Sequence, residues 1–141
     1  MKVFFDTNIL VDLLVPVRPS ADASSSVLDE LVKNRHEIVV TTQSILDVYY
    51  IAQGYSVSKT EIDVLTAWLL NHTNVRPIDC FDLRMALEYL NPDYEDYSQL
   101  SRAEGERCSV FLTSDKNILA RGMDTMLVLT PEQFVERMRA S

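Results

Sequence analysis

Residues 2–14 read KVFFDTNILVDLL. Val3, Phe4 and Phe5 are strand formers, and they run straight into Asp6, where a helix-like pattern begins at once. A charge at the end of a buried strand is either a turn signal or the first piece of a site. The choice depends on whether other carboxylates arrive at matching places along the chain.

The chain has 141 residues, enough for one domain (residues 1–141) with a sizeable core. Its hydrophobic fraction of 47% and charged fraction of 24% are those of a soluble globular protein. The longest apolar stretch, ILVDLLVPV, is broken by Asp12 and Pro16, so no membrane span is expected. The apolar run before Asp6 is too short for a secretory signal. Cys80 and Cys108 stand alone without a CxxC, which points to a reducing, cytoplasmic setting and away from a cysteine zinc site. The net charge of −8 gives no general attraction for nucleic acid, and no Lys/Arg run is present.

The rest of the chain alternates strand and helix. A helix from Thr7 or Asn8 to Leu14 ends at Pro16. The linker-like RPSADASSS leads into a helix with Val27, Leu28, Leu31 and Val32 on one face. EIVVTT is the second strand, and Thr41 or Thr42 caps the helix QSILDVYYIAQ, which stops near Gly54. Ser58 and Glu61 form a capping-box pattern before IDVLTAWLL, where Leu65, Trp68 and Leu69 read as core. VRPI is a short third strand at an exposed position. The helix CFDLRMALEYL, with Phe81, Met85 and Tyr89 at a four-residue step, is interrupted by Pro92. YEDYSQLSRAEGER is helical to about Gly105, SVFLTSD is the fourth strand and its exit, and MLVLT is the fifth strand. Thr130, Pro131 and Gln133 start the last helix. Short strands that are apolar on both faces, separated by helices, predict an α/β fold with a parallel sheet covered on both sides. All strand C-termini in such a sheet point to one edge, where sites form.

Acids gather at that edge. Asp6 follows the first strand, Asp47 lies on the helix after the second, Asp96 opens the helix before the fourth, and Asp115 follows the fourth. Two unit charges roughly 4 Å apart cost about 4 kcal/mol at an effective dielectric near 20, so a cluster of them needs an offset. Hard oxygen donors without histidine or cysteine favour Mg²⁺ or Mn²⁺, as one or two ions, over zinc. Such ions suit phosphodiester hydrolysis. Asp79 reads as a cap of the CFDLRM helix, Asp12 as a helix-surface or supporting group, and Glu95 as a solvent or cap residue. Asp93 reads the same way and is the alternative to Asp96 if the register differs. Lys116 and Arg121, past the fourth strand, are candidate phosphate contacts, and His36 and His72 receive no catalytic role.

FFDTNILVDLL, ILDVYYIA and DYEDYSQLSRAEGERCSVFLTSDKN together resemble the PIN domain family of metal-dependent nucleases, in its small VapC-toxin-like form. The resemblance covers nearly the whole chain. It implies a three-layer α/β/α sandwich around a mainly parallel sheet of four to five strands, in the order 3-2-1-4-5. It implies Asp6, Asp96 and Asp115 as metal ligands, Asp47 where the family has Glu, and Asn8 and Thr113 as supporting residues. It also implies an RNA substrate, an antitoxin partner and a homodimer. Ser114 stands where the family has Arg, and Ile118 and Leu119 stand where it often has an acid followed by Phe. These departures keep a second reading in view, a PIN-like module with weakened metal binding that recognises RNA or protein. A phospho-accepting receiver is disfavoured because Thr7, not a second acid, follows Asp6.

Overall fold

The computed structural model describes residues 1–88 and 93–141; Tyr89 and Pro92 lie outside the described residues. The elements in chain order are β1 (Lys2–Phe5), α1 (Thr7–Asp12), α2 (Ala21–Lys33), β2 (Glu37–Thr41), α3 (Thr42–Gln53), α4 (Lys59–His72), β3 (Asn74–Arg76), α5 (Cys80–Glu88), α6 (Tyr94–Gly105), β4 (Val110–Leu112), α7 (Lys116–Arg121), β5 (Leu127–Leu129) and α8 (Pro131–Ala140). The five strands form one sheet in the order β3-β2-β1-β4-β5, with every pairing parallel.

The alternation of side chains along each strand divides the core in two. Val3, Phe5, Ile38, Val40, Val110 and Leu112 face one layer, where they pack with Ile9, Leu10, Val27, Leu31, Val48 and Phe134 of the helices. Phe4, Val39 and Phe111 face the other, with Tyr97, Leu100 and Ala103 of α6 and Ile118 of α7. The registered pair Phe4 and Phe111 stacks across β1 and β4, with ring centroids 5.0 Å apart. Burial of each such ring stabilises the fold by about 1.5–3 kcal/mol. Apolar residues on both faces of β1 therefore account for its central place in the sheet.

The helix starts carry the expected side-chain caps. Thr41 accepts from the Ser44 backbone N–H, Ser58 from that of Glu61, and Thr130 forms a reciprocal capping box with Gln133. Asp79 accepts from the Asp82 N–H while Asp82 accepts from the Asp79 N–H, so Asp79 is a cap as read from the sequence. Two helix faces differ from expectation. Val32 is 49% exposed, because the buried stripe of α2 runs through Ser24, Val27 and Leu31. Phe81 is 62% exposed, because α5 turns Asp82 and Ala86 inward instead. Asp82 is drawn in by Ser101 and Arg102 of α6. No helix among the described residues is long and apolar enough to cross a membrane.

Candidate metal centre

Parallel topology puts the ends of β1 and β4 side by side, and each strand leads into an aspartate that starts a helix. Asp6 is buried at the N-cap of α1. Its Oδ1 accepts from the Thr7 N–H at 2.8 Å, and its Oδ2 accepts from the Thr113 hydroxyl at 2.7 Å and from Asn8 Nδ2 at 3.2 Å. Burial raises its pKa; the hydrogen bonds from Thr113, Thr7 and Asn8 pull it down, and the charge of Asp115 pushes it up. Asp115 caps α7, where its Oδ1 accepts from the N–H groups of Asn117 at 2.8 Å and Ile118 at 3.2 Å. Thr113 and Asn8 tie the two loops together. Thr113 Oγ1 also accepts from the Asp115 N–H, and Asn8 Oδ1 accepts from the Ser114 N–H. Asn8 and Thr113, the two expected supporting residues, both donate to Asp6 Oδ2.

Helix α6 precedes β4, and its first turn lies at this same edge. That turn brings Asp93 and Asp96 against Asp115, and one oxygen of each lies within 4.8 Å of the others. Asp93 is half-buried, and at the N-cap position of α6 it makes no side-chain cap hydrogen bond. Asp6 is not part of this tightest group, but its charge acts on it from behind. Asp96 has its pKa pushed up to about 8 by burial, by a hydrogen bond with Asp93, and by the charges of Asp115, Asp6 and Asp93. Asp96 Oδ2 is buried and has no hydrogen-bond partner among the described residues. An oxygen left this way costs about 1–3 kcal/mol, more if charged. The donor set is all oxygen, its charges repel, and one atom lacks a partner among the described residues; this set fits a hard divalent cation.

Asp47 reaches the cluster indirectly. It accepts from Gln43 Nε2 at 3.2 Å on its own helix and shares a hydrogen bond with Glu95. Glu95 is pushed up to about 7 by desolvation, by that hydrogen bond, and by the charges of Asp47, Asp6 and Asp93. Glu95 is exposed, as its reading as a solvent residue expects, and it also links the Asp47 position to the rest. On the opposite flank, Arg121 lies over the Tyr97 ring at 4.7 Å and donates to its hydroxyl at 2.6 Å. Arg121, Asn117, Asp93 and Asp96 border one small cleft, and Lys116 is exposed at the start of α7. Asp12, read from the sequence as a helix-surface or supporting group, is buried, where it pairs with Arg18 at 2.7 Å and accepts from the Ser24 hydroxyl at 2.6 Å.

A family model described as "PIN domain" matches residues 2–117. The chain belongs to the PIN domain family. Among relatives of this PIN domain, Ribonuclease VapC1 of Aquifex aeolicus (strain VF5) is 27% identical over 141 residues, covering 96% of this chain and 94% of that protein. The VapC20 toxin of Mycobacterium tuberculosis, which cleaves the sarcin-ricin loop, superposes with a TM-score of 0.70 at 11% identity, over 89% of this chain and 98% of the toxin. A chain of a toxin–antitoxin complex from Klebsiella pneumoniae gives 0.66 at 22% identity, over 92% and 97% of the two chains. A chain of the Rickettsia felis VapBC2 complex bound to a promoter DNA fragment gives 0.62 at 20% identity, over 92% and 98%. These likenesses are to the fold, which has the expected strand order.

Of the four departures that the resemblance marks, those at Ser114, Ile118 and Asp47 each have a local place in this PIN domain. Ser114 contributes its backbone N–H to Asn8, and its hydroxyl is buried without a partner among the described residues. Ile118 is buried in the core beside α6, and its N–H is capped by Asp115. Asp47, shorter than Glu by one methylene, meets Glu95.

Proposed function

We propose that the chain is a divalent-cation-dependent endoribonuclease that hydrolyses RNA phosphodiester bonds and serves as the toxin of a toxin–antitoxin pair. The observation that carries this reading is the close approach of Asp93, Asp96 and Asp115, with Asp96 Oδ2 buried and unpartnered among the described residues. The metal is Mg²⁺ or Mn²⁺, as one or two ions. A bound cation of this kind supplies a Lewis acid for the phosphodiester and makes water a better nucleophile at neutral pH.

Asp6, Asp96 and Asp115 are assigned as its ligands, with Asp93 beside them and Asp47 acting through Glu95. Thr113 and Asn8 orient Asp6 by donating to its Oδ2. Ser114 anchors the opposite loop through its N–H. Lys116 and Arg121 contact the RNA backbone on the α7 side, where the cleft borders Asp93 and Asp96. With a net charge of −8, grip on a polyanion has to come from a few local cations and the metal. Ribonuclease VapC1 and the neighbouring toxin–antitoxin complexes support the ribonuclease and antitoxin readings. A homodimer, a cytoplasmic location and a single domain over residues 1–141 complete the proposal.

Cleavage of mixed RNAs with Mn²⁺, comparing wild type with Asp96→Asn, tests it. The variant is expected to fall to the level of wild type in chelator; equal cleavage by both ends the ligand assignment. The engagement of Asp47 by Glu95 and Gln43 favours one second reading, a PIN module that binds RNA or protein with weakened metal affinity. Calorimetry with Mn²⁺ on wild type and Asp6→Asn separates the two. Absence of any metal-dependent heat in the wild type at millimolar ion selects the binding module.

A further inference from the structure

We propose that Gln99 is a positioning residue for the carboxylate site, the centre of a buried hydrogen-bond chain that fixes α6, α3 and the end of β1 in one register. The proposal rests on the metal-dependent reading above. Thr41 Oγ1 donates to Gln99 Oε1 at 3.0 Å, Gln99 Nε2 donates to Ser44 Oγ at 2.7 Å, and Ser44 Oγ meets Thr7 Oγ1 at 2.7 Å. All four side chains are buried, Gln99 to 1% exposure. One directional assignment uses each proton once: Thr41 to Gln99, Gln99 to Ser44, Ser44 to Thr7. The chain ends at the residue whose backbone N–H holds Asp6 Oδ1 at 2.8 Å.

Location separates this network from an ordinary satisfied core polar group. Thr7 adjoins Asp6, Ser44 lies one turn before Asp47, and Gln99 lies one turn after Glu95 and Asp96. Three of the links therefore sit beside or one turn from a carboxylate, each on a different element. Apolar packing at these positions would stabilise a range of small slides and rotations. A buried hydrogen-bond chain of this kind has one low-energy register, because a shift strands its donors and acceptors. Like-charged groups need such a brace more than most, since their mutual repulsion pushes α6 away from β1 and α3. Displacements of about 1 Å are enough to spoil a site of this kind.

The test uses Gln99→Met, which keeps most of the volume and removes both hydrogen bonds, and Ser44→Ala, a smaller cut at the middle of the chain. Mn²⁺ affinity is measured by calorimetry, folding by melting in chelator, and kcat and KM by RNA cleavage. Expected for Gln99→Met is a loss of about 10–100-fold in Mn²⁺ affinity and in cleavage at fixed low Mn²⁺. KM for RNA stays at the wild-type value, and excess Mn²⁺ restores most of the cleavage. Ser44→Ala moves the same quantities in the same direction by less. Wild-type Mn²⁺ affinity and kcat in both folded variants overturn the positioning role alone. Absence of Mn²⁺-dependent heat in the wild type overturns the metal reading and the positioning role with it.

Discussion

Replacing Asp96 by Asn should make the metal-free protein more stable, by an amount that grows with pH. Burial first, then the hydrogen bond with Asp93 and the nearby charges, raise Asp96 to about 8, whereas the same group titrates near 3.8 when unperturbed. Between those values the folded state holds a proton that the unfolded state has released. Stability of the wild type therefore falls as pH rises through that window, by about 1.4 kcal/mol per pH unit for one fully coupled group. From pH 5 to pH 8 this is about 4 kcal/mol at most, and water screening of a partly exposed site brings it to about 2–4 kcal/mol. Coulomb's law gives the same order: charges 4.8 Å apart repel by about 3.5 kcal/mol at an effective dielectric near 20. The amide that Asp96→Asn introduces has no such proton to hold. At about 3 °C per kcal/mol for this chain length, the variant's lead over wild type in melting temperature should widen by about 6–12 °C between pH 5 and pH 8 in EDTA. Mn²⁺ at about 100 times its dissociation constant should stabilise the wild type by about 2.7 kcal/mol and the variant by much less, which narrows or reverses the gap. A difference in melting temperature that stays flat from pH 5 to pH 8 in chelator would refute the repulsion on which the metal assignment depends.

Other expectations concern separate parts of the molecule. Arg18→Ala leaves Asp12 buried without its cation, and urea unfolding should register a loss of about 3 kcal/mol, at the lower end for buried pairs because Arg18 is partly exposed. Thr130→Ala removes the capping box of α8, remote from the acids, and should cost about 1 kcal/mol in a thermal melt with RNA cleavage unchanged. Phe111→Ala empties one half of the stacked pair on β1 and β4 and should cost about 3–5 kcal/mol in urea unfolding. Lys116→Ala should raise KM for RNA and lower the slope of log affinity against log salt by about 1, as removal of one phosphate contact requires.

The strands and most helix limits were legible because their signals are local, whereas the strand order came from the family resemblance alone. Thr41, Ser58 and Thr130 announce helix starts through hydroxyls that accept backbone N–H groups. The apolar strands announce a sheet covered on both faces. The site was legible as an edge, and less so as a set of atoms. Choosing among Asp93, Glu95 and Asp96 requires the rotation of α6 about its axis, and neighbouring residues on a helix are about 100° apart. Tyr97, Leu100 and Ala103, buried against the sheet, set that rotation. Residues one turn before Tyr97 and Leu100 then face inward, which places Asp93 and Asp96 together. The inward turn of Asp82, in place of Phe81, was hidden for a different reason. It depends on Ser101 and Arg102, whose contact with α5 no local pattern reveals.

The arrangement also explains why acids can be gathered here without unfolding the domain. In a sheet ordered β3-β2-β1-β4-β5, the chain leaves β1 toward one side and returns to its other side through β4, so the crevice opens between β1 and β4. Asp6 and Asp115 stand on its two lips, and each spends carboxylate oxygen on N–H groups at the start of the following helix. Those N–H groups offset part of the charge before any cation arrives. Asp93 and Asp96 stand at the start of α6, where the helix dipole also favours negative charge, yet Asp96 Oδ2 remains without a partner among the described residues. The fold thus compensates Asp6 and Asp115 from within and leaves Asp96 Oδ2 without a partner among the described residues, as the proposed cation site requires. That division makes Asp96, rather than the more deeply buried Asp6, the residue whose replacement should set metal binding most directly against folding, losing the first while raising stability in chelator.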